Sequence, residues 1–321
     1  MGRLNVAIPI QKQDIFWMEG LSKGHPVWLL TGDADSAVVI KGDANNDQQH
    51  VQQALLTMNA ISPGSLAIQL APMEIMALRS FAQEIAPSCG DDLETREALN
   101  NFLALSSRNV YKFTKMEYMK ITTLGTGNTT LGNKQSVKLI AKAANAPGGL
   151  EDLGEIVAAD MWNSNQDRFS FLKITAPGSI TVNGYKMNFL TNLGNIMVRQ
   201  LANDYRFVGL DALDPTSGDL DFETQNDIDK WGFRIFTPSN IRGGWVDTIA
   251  ELCVADLKHA LGKKTGLLKT WRLKSGGEAR FAKGLLAGAK QIERHLKSIY
   301  GNNLRHAPKS VQVRAKLVQW I

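Results

Sequence analysis

Two aspartates and an asparagine in the second half of the chain have the types and order that phosphoryl transfer uses. Asp167 sits in a polar turn with Arg168, after VAADMWNSNQ. Asn195 opens the run NIMV, and Asp211 follows FVGL. One carboxylate can orient an attacking hydroxyl. An amide oxygen and a second carboxylate can hold Mg²⁺ on the phosphates of ATP. Asn192 is a rival for the amide position.

Such a trio works only if secondary structure fixes it. Leu153, Ile156, Val157 and Met161 recur at helical spacing, which predicts an amphipathic helix running into the Asp167 turn. Residues 195–198 and 207–210 read as short strands, the second delivering Asp211 at its end. Between them FSFLKITAPGSITVNGYKMNFLTNLG reads as an inserted hairpin, with Pro177-Gly178 and Asn183-Gly184 as turns.

VAADMWNSNQDRF resembles the catalytic-loop region of the atypical kinases, the HipA-like and phosphatidylinositol 3/4-kinase-like families. Their loop reads N-x-D-R-H or G-D-R-H, and a metal-binding Asn precedes a strand like NIM. Phe169 stands here where those families have His, and Asn195 lies further downstream than is usual. The resemblance implies a catalytic role for Asp167, with Arg168 bracing the loop, and Mg²⁺ ligation by Asn195 and Asp211.

The first third of the chain can be read in the same frame. PVWLLTGDADSAVVIK predicts a β-hairpin, with Gly32, Asp33 and Ser36 at the turn and Lys41 ending the second strand. By resemblance the hairpin covers the nucleotide phosphates and Lys41 reaches them. VVIKGDANNDQQ is also similar to the K-x-G-D-D-L-R-Q stretch of phosphatidylinositol kinases. A helix over 46–60, with Val51, Leu55 and Met58 inward, follows. It contains no Glu for Lys41, and Asp47 or Glu74 is the candidate carboxylate. Asp91/Asp92 cap a helix through about 105, with Leu99, Phe102 and Leu103 inward. Residues 109–119 alternate like a strand ending in Met-Glu-Tyr-Met. That tetrapeptide resembles a kinase hinge, in which Glu117 and Met119 would offer backbone groups to adenine.

LGTGNTTLGN, residues 124–133, lacks the spacing and the following acid of a dinucleotide fingerprint and reads as a linker. These elements predict an α+β, two-lobed protein-kinase-like fold. Residues 1–123 would form a β-rich N-lobe and residues 124–321 a mainly helical C-lobe.

Charge is unevenly distributed. Residues 251–321 carry 15 Lys/Arg against 4 Asp/Glu, leaving 21 against 27 for residues 1–250 out of the chain's 36 and 31. The segment after Asp211 is acidic and turn-rich, in the position of an activation or substrate segment. Asp247 caps a helix with Ile249, Leu252, Leu257 and Leu261 inward, stopped by Gly262. A second has the stripe Phe281, Leu285, Ile292, Leu296 and Ile299. The excess cations of 263–321 call for an anionic partner. Nucleic acid is disfavoured, since no homeodomain, zinc-finger or RNA-recognition signature is present.

Cys89 and Cys253 match no metal-ligand spacing, and the five histidines form no HExxH pair. G-x-S-x-G and P-loop motifs are missing. No signal peptide and no membrane-spanning run is evident, so the expectation is a soluble protein. It would be cytoplasmic, or a bacterial effector delivered into a host cell. The resulting expectation is an ATP- and Mg²⁺-dependent kinase of a protein Ser/Thr hydroxyl. The alternatives are a phosphoinositide kinase, or a pseudokinase or binding module acting through its basic helices.

Overall fold

The computed structural model describes residues 17–20, 27–31, 36–42, 48–61, 68–89, 93–104, 110–117, 139–163, 165, 168–169, 180–182, 185–187, 196–201, 204–209, 234–265 and 273–321. The chain divides into two compact units. One comprises residues 1–55 and 63–121, the other 56–62 and 122–321.

The first unit contains the strands β1 (Trp17–Gly20), β2 (Val27–Thr31), β3 (Ser36–Gly42), β4 (Ile68–Gln69) and β5 (Val110–Glu117). They form an antiparallel sheet in the order β1-β2-β3-β5-β4. Alternation along β2 buries Trp28 and Leu30, and Ile40, the register partner of Trp28, joins them. Against these pack α2 (Pro72–Ile85), through Ile75, Leu78 and Phe81, and α3 (Leu93–Ala104), through Leu99 and Phe102. Trp28 meets Phe102 edge-on at 5.0 Å. The helix α1 (Gln48–Ile61) starts in this unit, and its last turns belong to the second.

This architecture corrects the expected fold class. The described residues are predominantly helical, not those of a kinase-like fold with a β-rich N-lobe. Even in the first unit, helix outweighs strand. The missing helical mass is α2. Pro72 reads as a break in sequence, but it occupies the first turn of the helix, where its fixed φ and absent N–H cost nothing. Glu74 supports that start by accepting from the Ala71 N–H at 3.0 Å.

In the second unit the central pair is α4 (Gly149–Trp162) against α7 (Gly277–Tyr300). Leu153, Ile156, Val157 and Met161 are buried, as the periodicity requires. On α7 Phe281, Leu285, Ile292 and Leu296 are buried, whereas Ile299, in the last turn, is 44% exposed. Glycines set the closeness of the pair. A Cβ at Gly284 would lie 2.0 Å from the Glu151 carbonyl oxygen, and one at Gly154 would lie 2.4 Å from that of Phe281.

Between α4 and α7 in sequence come two hairpins, β6 (Ile180–Val182) with β7 (Tyr185–Met187), and β8 (Met197–Leu201) with β9 (Asp204–Val208). Next are the short α5 (Ser239–Arg242) and the long α6 (Trp245–Thr265), and α8 (Lys309–Leu317) follows α7. Asp247 lies inside the first turn of α6, and the helix runs three residues past Gly262. Among the described residues no helix is long and apolar enough to cross a membrane.

Candidate functional site

The best-defined polar constellation lies at the C-terminal end of α4. Asp160, in the last turn of α4, is 1% exposed. Its carboxylate accepts from Arg168 Nε at 2.8 Å, Arg168 Nη2 at 3.3 Å and Asn165 Nδ2 at 3.0 Å. Arg168 and Asn165 are themselves buried, and the Asn165 N–H donates to the Asp160 carbonyl at 2.8 Å. Burying a guanidinium and a carboxylate is costly unless geometry and hydrogen bonding compensate. Here the carboxylate takes Asn165 Nδ2 and two guanidinium nitrogens as donors, and bonds to an ionised carboxylate are charge-assisted. Phe169, buried beside Arg168, meets Phe281 of α7 edge-on at 6.2 Å.

The chain is therefore pinned at Asn165 and again at Arg168 and Phe169, with residues 166 and 167 between. Arg168 spends its guanidinium on this brace inside the protein. Asp160 and Asn165 were missed in sequence; the available signal was one acid in the otherwise apolar run VAADMW.

A hairpin is tied to the same helix. Arg206 of β9 donates through Nη1 to both carboxylate oxygens of Asp152, each at 3.1 Å. Met197 pairs with Val208, so the chain enters and leaves β8–β9 at one end. Asn195 precedes Met197 by two residues and Asp211 follows Val208 by three. The strands begin and end differently from expectation, since β9 starts at Asp204 and stops three residues short of Asp211. Buried Gly209 faces Met58 of α1, where a Cβ would come 2.3 Å from the sulfur.

Glu155, half-buried on α4, has its carboxyl pushed above the ordinary value by burial and then by Asp152, with Arg206 opposing. The folded state thus holds this proton more tightly than the unfolded chain. Stability contributed by protonation is lost as pH rises from about 4.3 through the raised value. Glu155→Gln is expected to raise the urea midpoint relative to wild type more at pH 7 than at pH 4.

The remaining candidates fall as follows. Asp167, Asn192, Asn195, Asp211, Gly32, Asp33 and Met119 lie outside the described residues. In the first unit Ser36 and Glu117 are register partners across β3 and β5. Lys41 pairs with Val27 and Tyr111 at the other end of β3. It lies five positions along the strand from Ser36, roughly 17 Å. Ser36 starts β3, directly after the residues that join β2 to β3, and Lys41 lies near the opposite end of the strand. Among the described residues no group of three His, Cys, Asp or Glu could hold a metal ion. Cys253 is buried, and burial together with Asp256 and Asp160 pushes its thiol well up, which disfavours a nucleophilic thiolate.

No protein-family model matches the chain, and no curated protein or solved structure does either.

Proposed function

We propose that the chain is an ATP- and Mg²⁺-dependent phosphotransferase acting on a protein hydroxyl. Asp167 orients the acceptor, and Asn195 and Asp211 ligate the metal. Lys41 is the cation for the phosphates. The observation that carries this reading is the buried Asp160–Asn165–Arg168 brace. It fixes the backbone on both sides of the segment holding Asp167. Positioning is most of what phosphoryl transfer asks of a protein, and a buried ion pair is an expensive way to hold an ordinary surface turn. The β8–β9 hairpin gives secondary support, because Met197 and Val208, two residues after Asn195 and three before Asp211 in sequence, pair at its open end.

The test is incubation of purified protein with Mg²⁺ and γ-labelled ATP, beside Asp167→Ala and Asp211→Ala. Label is expected on the protein or on an added extract. Loss of a general base should lower transfer by about 10²- to 10⁴-fold in Asp167→Ala, with nucleotide binding retained. Asp211→Ala should lose transfer as well, through the metal. A folded wild type that neither binds ATP nor transfers label overturns the proposal, and transfer from α-labelled ATP instead would assign nucleotidyl transfer.

A further inference from the structure

Trp320 lies far from Trp162 in sequence, yet the structure brings their rings together. The helix α8 ends in a Schellman arrangement. The Gln319 N–H donates to Lys316 O at 3.2 Å and the Trp320 N–H to Ala315 O at 2.8 Å, with Gln319 at φ 61°. A non-glycine residue in that region is held there at some cost in strain, so its surroundings must over-determine it. The turn sends Trp320 back onto the end of α4. Its indole stacks on that of Trp162 at 4.7 Å and 14°, and its Nε1–H donates to the Phe236 carbonyl at 3.1 Å. Phe236 closes the cluster, edge-on to Trp162 at 5.1 Å and to Trp320 at 5.9 Å. Arg314 of α8, buried, lies over the Trp162 ring at 5.8 Å.

Trp162 is the last residue of α4, and the described residues Asn163, Asn165, Arg168 and Phe169 follow it. The brace of Asp160 holds Asn165 and Arg168 from the polar side, and the aromatic cluster fixes the residue from which they depart. We infer that Trp320 is a positioning residue for Asn165, Arg168 and Phe169, acting through Trp162. The catalytic consequence rests on the phosphotransferase reading; the mechanical one does not.

Hydrogen exchange of the full chain, followed by mass spectrometry on peptides covering 163–169, tests it. Trp320→Ala is expected to speed exchange there by about ten-fold, the loss of one well-packed aromatic contact with its hydrogen bond. Peptides from α2 and α3 should be unchanged. Trp320→Leu, which keeps apolar volume but loses stacking and donor, guards against global unfolding of the alanine variant and should show the same local effect. In phosphoryl transfer, kcat is expected to fall with KM for ATP within about two-fold. Wild-type exchange at 163–169 in a folded Trp320→Leu protein overturns the inference. Faster exchange in a protein whose wild type transfers no phosphate would sink the phosphotransferase reading and leave the positioning role standing.

Discussion

Arg168→Ala is expected to destabilise the second unit by about 3–5 kcal/mol, the range for removing one partner of a buried ion pair. Arg168 and Asp160 are each 1% exposed, and truncation leaves the Asp160 carboxylate in place without its guanidinium. Most of the loss is therefore the cost of a stranded buried charge. That attribution makes a second measurement informative. Asp160→Ala with Arg168→Ala should be less destabilised than the sum of the two single variants, because the double variant strands no charge. Urea unfolding of all four proteins closes the cycle. If the energies simply add, the two groups are not coupled as their 2.8 Å contact requires. If the chain transfers phosphate as proposed, loss of the brace should lower that transfer in any fraction that stays folded, since Asn165 and Arg168 are no longer held by Asp160.

Gly284→Ala should be comparably severe, for a steric reason. The added methyl would sit 2.0 Å from the Glu151 carbonyl oxygen, with the Glu151 Cα and carbonyl carbon at 2.8 Å. Those are backbone atoms of α4, so no side chain can swing aside, and the two helices must separate. Overpacking usually costs about 1–3 kcal/mol, and against rigid backbone atoms of α4 we expect roughly 3 kcal/mol or more. Gly244→Ala is the internal control. A Cβ there meets nothing within 4 Å and the residue has no positive φ, so its effect should stay within about 0.5 kcal/mol. Denaturation midpoints that are alike for the two variants would show that α4 and α7 are not in backbone contact.

Asp167, Asn195 and Asp211, the residues proposed for catalysis and metal ligation, lie outside the described residues. The structure shows the Asp160–Asn165–Arg168 brace and the β8–β9 hairpin.

Local pattern was enough for the elements whose determinants are local. The i, i+3, i+4 recurrence of Leu153, Ile156, Val157 and Met161 specifies α4 and its buried face, because a helical period reports burial directly. The same holds for Leu99 and Phe102 of α3, and for Phe281 to Leu296 on α7. Asn183-Gly184 marked the β6–β7 hairpin through turn chemistry, with Val182 paired to Tyr185 across it. Where local signals were ambiguous the reading failed. Pro72 can end a segment or start a helix, and only the capping by Glu74 and the packing of Ile75, Leu78 and Phe81 decide between them. Gly262 suits a helix stop, yet α6 continues through it. Ile299 completes an apolar stripe on paper but stands exposed in the final turn of α7.

The sequence by itself thus determined the amphipathic helices, the turn-encoded hairpin and the order of the polar candidates. Only the tertiary structure decided that Asp160 is the anchor for Asn165 and Arg168, that Gly284 must remain glycine, and that Trp320 returns to Trp162. The reason is physical. Periodicity and turn chemistry act between residues a few positions apart. The Asp160–Arg168 salt bridge, the backbone approach of Gly284 to Glu151 and the stack of Trp320 on Trp162 exist only after packing has chosen the neighbours.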